Sequence, residues 1–443
     1  MSNMIVEPPK TTPVSGEYDL VVLGGGPAGL AAAVAAGKGG LSVLLVERHG
    51  FLGGMGTAAG VSNFCGLYAN YFGEQLQVVR GVVDELLERI DQLDGLNTPH
   101  LCFGKINARA FDIPAYKIAA DEMLIAAGVR LMFHALAVGV SKTDAATIDA
   151  LFLETKSGRI AVRARMFVDA SGDGDLAAWA GAPFEKGDGE GSGLYPSTMF
   201  RMNGVNPDRA GDAWVRIPKL MEEAEASGRY KFPRSGAIVR PQKNPIEWRA
   251  NITQIQDRNG HAIDGVDADG LTQGEIIGRS QVKETFRFLR TVPGFEKSYI
   301  VEIAPQIGIR ETRRILGDYI LTEEDVLQCS DFADSIGRNG WPIEAHVQGG
   351  VDWRWQDIPN VRGYNQLPMR MLLPIGLNNL FVVGRCASMT HNAQSAARVS
   401  GACFAMGEAA GHASVLALAQ GLPPRHINGQ LLREKLGAHG ALL

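Results

Sequence analysis

Tyr18-Asp-Leu-Val-Val-Leu-Gly24-Gly-Gly26-Pro-Ala-Gly29-Leu30 opens with a short apolar strand, Leu20 to Leu23, and turns through Gly24-x-Gly26-x-x-Gly29 into an alanine-rich helix. A second apolar run, Ser42 to Val46, ends on Glu47. Each part has its own physical task. Gly24 makes the tight turn, Gly26 lets a pyrophosphate approach the backbone, and Gly29 lets the helix pack close on the strand. Pro27 and Ala28 open that helix and belong to the same binding set. The helix N-terminus faces the diphosphate, and Glu47 is placed to hold a ribose hydroxyl. A glycine triplet alone is a weak signal. Strand, helix, second strand and acid in this order read as a dinucleotide site.

The chain has 443 residues, 45% hydrophobic and 21% charged, which is ordinary for a globular protein of two domains or of one large domain with an insertion. Its net charge of −5 argues against a nucleic-acid partner. Met1 to Glu17 is polar and proline-rich without an apolar signal core, and reads as a loose N-terminal arm (1–17). Ala402 to Ala419 contains Glu408 and His412 and reads as a buried amphipathic helix, not a membrane span. The cysteines (Cys65, Cys102, Cys329, Cys386 and Cys403) are odd in number and scattered, with no metal-ligand spacing. They predict no metal site and a reducing, cytoplasmic setting.

Along the chain, 18–48 forms the first βαβ unit and 51–60 a glycine-rich loop. Apolar residues at 82, 83, 86, 87 and 90 predict a helix from Val82 to Leu93. Asn97 to Asn107 reads as irregular and Tyr116 to Ala127 as a helix. A strand at Val129 to Phe133 precedes an antiparallel pair, Ala135 to Lys142 with Ala146 to Thr155, and a further strand from Ile160 to Phe167. The expected fold is α/β: a Rossmann-like, discontinuous nucleotide-binding domain (18–183 and 360–443) with an inserted mixed α+β substrate or cap domain (184–359). The insert carries every tryptophan except Trp179, which makes a homodimer reasonable. The glycine run 187–193 has no strand before it and reads as a surface loop.

Three further stretches add chemistry. In Glu47-Arg48-His49-Gly50-Phe51-Leu52-Gly53-Gly54-Met55, the glycine pair offers backbone amides to a pyrophosphate or ring system; a plain glycine turn is the competing reading. Phe167-Val-Asp169-Ala170-Ser171-Gly172-Asp173-Gly-Asp175 places small residues where the chain passes a nucleotide, with Asp175 as a cap for the next helix. Asn379 to Ser388 delivers Gly384-Arg385 on a strand. A helix from about Ser400-Gly401 then aims its N-terminal amides inward, where they favour negative charge.

Together these pieces resemble the FAD-dependent oxidoreductase family of the glutathione-reductase-like superfamily. Residues 46–54, 169–183, 310–325, 342–346 and 384–391 follow that family's patterns in order, departing mildly at Thr312 and Asp318. The resemblance implies FAD, contacted by Gly24, Gly26, Pro27, Ala28, Gly29, Glu47, Arg48, Gly53, Gly54, Met55, Ala137, Ala170, Ser171, Gly172, Gly384, Arg385, Ser400 and Gly401. It implies hydride transfer from a C–H bond next to O or N of a small molecule to flavin N5, with electrons passed to oxygen or another acceptor. Two alternatives stand beside it. One is a reductase of an activated C=C bond fed by NAD(P)H or a partner; the other is a non-catalytic flavoprotein subunit. Thiol–disulfide chemistry is argued against by the cysteine-free loop Gly53 to Gly60, a stable NADPH domain by the lack of a second glycine fingerprint, and iron–sulfur clusters by the lack of cysteine quartets. Gly384-Arg385, in place of the Gly-Asp of aromatic hydroxylases, lowers the monooxygenase reading without removing it.

His391, in the loop expected to cross the flavin, is the candidate base, with a purely hydrogen-bonding histidine as the even alternative. Arg385 serves either the cofactor or an ion pair with Asp173. Arg310, His346, Tyr364 and Arg370 are candidate substrate residues; the competing readings are a local ion pair for Arg310 and domain-interface packing, the more common fate of such residues, for the other three. Cys65 reads as a packed thiol rather than a flavin tether.

Overall fold

The computed structural model describes residue 5 and residues 7–443. The run Leu20–Leu23 is buried on both faces, as a central parallel strand must be. It forms the end of the strand Val14–Leu23, so the chain is already ordered before Tyr18. Val14, Gly16 and Glu17 pair with Ala161, Val162 and Arg163, which removes 14–17 from the expected loose arm. Residues 1–4 and 6 of that arm lie outside the described residues.

Seven strands form the main sheet, in the spatial order 130–132, 43–46, 14–23, 158–169, 148–155, 136–142, with Leu380–Val382 joining at Phe167–Asp169. The strands 130–132, 43–46, 14–23, 158–169 and 380–382 run parallel. The hairpin 136–155 is antiparallel and occupies the first half of strand 158–169. That division leaves the second half free for the late strand, which returns the C-terminal chain to the sheet. The carboxyl ends of strands 14–23, 43–46, 158–169 and 380–382 therefore open on one edge, where ligands of open α/β sheets bind.

Helix Ser400–Gln420 lies against the first helix, Pro27–Lys38. The contact is close because both surfaces are small: a Cβ on Gly407 would stand 2.0 Å from the Ala28 carbonyl oxygen, and one on Gly411 2.4 Å from that of Ala32. The late helix is not one-faced as the sequence suggests. All residues from Gly401 to Ser414 are buried, because strand Ser335–Asn339 and helix Gly429–Ala438 cover its other side. It has the length and apolarity of a membrane span, yet most of it is enclosed by protein.

Glu408 of this helix is 2% exposed. Its Oε2 accepts a hydrogen bond from Val82 N at 3.0 Å, at the positive end of helix Val82–Gln92, while Oε1 has no partner among the described residues. Burial pushes this carboxyl up to about 7. The fold thus favours the neutral acid, so its contribution is full below the ordinary value of 4.5 and is lost as the pH rises toward 7. Glu408→Gln is expected to remove about 2–3 kcal/mol of the fall in stability across that window. Asp169, pushed up to about 6 by burial, adds a slope of the same sign. The check is the difference between parent and variant melting temperatures in a pH series; parallel curves would refute it.

Between residues 184 and 379 the chain builds smaller units. Strands Ile238–Pro241, Trp248–Asn251, Phe200–Asn203 and Tyr299–Ile303 form an antiparallel sheet in that order. One face carries Met202, Val239, Trp248 and Ala250 into a core with Ile217, Phe288 and Phe295, under helices Ala213–Ala226 and Ala268–Leu289. Residues 97–107, read as irregular, contain half of a hairpin, His100–Cys102 with Ile106–Ala110. Ile106, Ala108 and Ala110 alternate inward against polar Asn107 and Arg109, a period-two signal hidden by the short span.

Candidate functional site

At the end of the first strand, Gly24 adopts a φ of +100°, and a Cβ there would lie 2.4 Å from the Ala170 carbonyl oxygen. A Cβ on Gly29 would come within 1.8 Å of the Gly24 oxygen, so both glycines are required by close packing. Gly26 differs: its Cβ direction is open up to Gly54 Cα at 3.6 Å. Glu47, 7% exposed, accepts from Gly25 N at 2.8 Å and from His49 N at 2.9 Å. The acid is thereby held at the tip of its strand, facing the glycine turn.

The loop Asp169–Asp175 is organised by Asp169, not by Asp175. Asp169 Oδ1 accepts from Ser171 N and Oγ, and Oδ2 from Ala177 N at 2.9 Å in helix Asp175–Ala180. The predicted cap is therefore corrected. Asp175 already stands inside the helix and pairs with Arg313 at 2.8 Å. Arg385 donates to Gly172 O at 2.8 Å, to Ile309 O, and to Asp173 Oδ1 at 2.6 Å. Of its two readings, the ion pair with Asp173 is the one the geometry displays.

These segments border one cavity of about 290 Å³. It runs from Gly24, Gly26, Pro27, Ala28, Glu47 and Arg48 past Gly54, Met55, Ala137, Ala170, Ser171 and Gly172 to Gly384, Arg385 and Ser400. Gly29, Gly53 and Gly401 stand outside the lining and act through the backbone. A Cβ on Gly401 would meet the Gly66 oxygen at 2.2 Å, and Gly401 N donates to Cys65 O at 2.9 Å. An elongated cradle with an open glycine face, a buried acid at one end and a helix N-terminus at the other fits an extended dinucleotide.

Beyond Ser400 the cavity continues between the main sheet and the second sheet. Arg310 and His346 line it; Tyr364, Arg370 and His391 do not. Tyr364 is stacked by Arg338 and Arg362, and Arg370 pairs with Asp334 at 3.0 Å. His391 is turned away because it starts a helix capped by Thr390, which directs Nδ1 to Glu311 Oε2 at 2.9 Å. Arg310 is buried and donates to Tyr195 O and Ser197 Oγ; burial, with Arg398 and Arg234 nearby, pushes its guanidinium down. Cys65 lines the cavity too, its thiol raised by burial, which disfavours the reactive thiolate.

Residues that sequence reading missed complete this chamber. Glu344 accepts from Trp341 Nε1 at 2.8 Å and pairs with His346 Nε2 at 3.1 Å. Burial would raise Glu344, but the His346 hydrogen bond and nearby cations outweigh it and hold the carboxyl at about 2. His346 is lowered by burial and by Arg310. The pair is thus a carboxylate and a neutral imidazole. A carboxylate only accepts, so Nε2 carries the proton and Nδ1 keeps a free lone pair.

A thioredoxin reductase of Ureaplasma parvum serovar 3 is 48% identical over 50 residues, 11% of this chain and 16% of that protein. The chain thus spans about a sixth of that curated relative. A geranylgeranyl bacteriochlorophyll reductase-like protein from Thermoplasma acidophilum shares the fold, with a TM-score of 0.50 at 14% identity over 96% of this chain and 84% of that one. A p-nitrophenol 4-monooxygenase from Pseudomonas putida gives 0.47 at 11% identity, over 95% and 84%. The model of the FAD dependent oxidoreductase family matches residues 19–436, and the chain belongs to that family.

Proposed function

We propose that this protein oxidises a small organic molecule at a C–H bond next to oxygen or nitrogen, in the chamber beyond Ser400. The observation that supports this reading is the 3.1 Å contact between His346 Nε2 and Glu344 Oε1, both residues lying on the wall of the cavity that runs on from the dinucleotide cradle. FAD, when bound, supplies the two-electron acceptor for such an oxidation and hands the electrons to oxygen or another acceptor.

The residues divide the remaining work. Gly26 and Gly54 let the cofactor's backbone contacts form, and Glu47 is placed for the ribose. His346 Nδ1 takes the proton from the substrate O–H or N–H, and Glu344 orients the ring and stabilises the imidazolium that results. The proton acceptor is therefore His346 in place of His391, which stands outside the lining. The free thiols fit a reducing compartment such as the cytoplasm.

Anaerobic mixing with a panel of alcohols and amines, followed by flavin bleaching, tests the reaction. Bleaching by a panel member is the expected result, and bleaching by NAD(P)H alone would replace this reading with a reductase. Against the panel's best substrate, His346→Gln is expected to slow bleaching ~10²–10⁴-fold with flavin content intact. His391→Ala should stay within a few-fold of the parent. The opposite ranking would return the role to His391.

A further inference from the structure

Strands Ile238–Pro241 and Trp248–Asn251 turn one face to the buried core and the other to the cavity. Residues on the cavity face are Ile238, Arg240, Arg249 and Asn251. In the register of the pair, Arg240 stands directly opposite Arg249. Like charges in that relation oppose each other's burial; Arg240 donates to Cys102 Sγ at 3.7 Å and lies over the Trp214 ring at 5.4 Å, two uncharged neighbours that supply no counter-charge. Arg249 is 5% exposed, and its Nε has no hydrogen-bond partner among the described residues. Neither arginine has an acid within ion-pair distance among the described residues. The contrast lies one strand over: Arg201, on the other side of Arg249, is held by Glu302 at 3.1 Å and Glu247 at 3.4 Å. The remaining acid of this end of the cavity, Glu344, is engaged by His346 and Trp341.

A buried cation without a partner costs stability unless a ligand supplies the counter-charge. We propose that the substrate of this cavity is a carboxylate, its anion seated on Arg249 and Arg240 and its body against Trp341, Trp353 and Phe103. The inference rests on reading the chamber as the substrate site, and it names the class of substrate. Two guanidinium forks match the flat, two-oxygen edge of a carboxylate. A phosphate asks for donors around three or more oxygens, more than the paired edges of two guanidinium groups are shaped to supply. Arg249 stands near Cys65, whose backbone bonds Ser400 at the helix N-terminus, so the anion site adjoins the inner end of the cradle.

Binding without turnover tests this apart from the oxidation itself. The FAD-loaded protein is titrated with acetate, hexanoate and benzoate, each against its amide, with heat and tryptophan fluorescence as readouts. At least one carboxylate is expected to saturate while its amide does not, and Arg249→Met should weaken it by about 30-fold or more. Arg240→Gln should weaken it in the same direction. Unchanged flavin content and near-ultraviolet circular dichroism show that both variants are folded. Equal binding of acid and amide, an unaffected Arg249→Met, or inorganic phosphate displacing the carboxylate at equal concentration would each overturn the proposal. Arginine-dependent carboxylate binding without any flavin bleaching would leave it standing and remove the oxidation reading instead.

Discussion

Gly407→Leu is expected to give a chain that does not hold flavin and unfolds without a cooperative transition near the parent's. A Cβ at this position would lie 2.0 Å from the Ala28 oxygen and 2.7 Å from its carbonyl carbon. Both are backbone atoms of a helix buried on every side, so no rotamer change relieves the overlap. The axes of the helices beginning at Pro27 and Ser400 must part by about 1 Å or more, in an interior packed too densely to absorb it. The cost sits at or beyond the ~3 kcal/mol top of the usual range for overpacking. The consequence reaches the site because Ala28 lines the cavity and faces Gly384, where a Cβ would be 3.2 Å from Ala28 Cβ. Moving the first helix moves the N-terminal amides proposed to face the diphosphate. Gly437→Ala is the matched control. Among the described residues nothing lies within 4 Å of its Cβ position, and in helix Gly429–Ala438 the change should be neutral or stabilising by up to ~1 kcal/mol. The ratio of flavin to protein absorbance and a thermal melt decide the matter; a yellow Gly407→Leu protein with the parent's melting temperature would sink the argument.

The glycine turn, Glu47 and the returning strand at residues 380–383 are legible in the sequence because their physics is local. A strand, a turn that demands glycine and a helix start occupy adjacent residues, and their order carries the meaning. The chamber is not local. Spacing from Gly384 favours His391, but the Thr390 cap turns that ring toward Glu311, a contact that exists only once residue 311 has folded beside it. His346 gains its role from Glu344 two residues away and from its place on the cavity wall, which no spacing reveals. The arginine pair depends on a cross-strand register between residues 240 and 249. The alternation at 238–241 and 248–251 was the available signal, and each strand is four residues long, too short to stand out beside Pro241 and Pro245. The helix over 400–420 misled for the opposite reason: an all-round apolar surface has no period, so composition gives burial but not the partners.

Arg385→Met should destabilise the protein by about 3–5 kcal/mol, the cost of leaving one member of a buried ion pair alone. The side chains of Arg385 and Asp173 are 11% and 9% exposed. The guanidinium also holds Gly172 O, at the turn after the strand Gly158–Asp169, and Ile309 O, on the segment arriving from the second sheet. Three stretches distant in sequence meet on this one group. Without it, Asp173 keeps the Thr312 hydroxyl at 3.0 Å and only a distant Arg48, 4.0 Å away, too little to solvate a buried carboxylate. Arg385→Met combined with Asp173→Leu should recover most of the loss, since an apolar pair of similar volume often replaces a buried ion pair at little cost. The resulting double-mutant cycle should give a coupling of about 2–3 kcal/mol, read from urea denaturation. Flavin content separates the two roles this arginine can have. If it acts as an internal tie, flavin returns with stability in the double variant. Should the double variant be as stable as the parent yet colourless, Arg385 holds the cofactor directly and the tie is secondary.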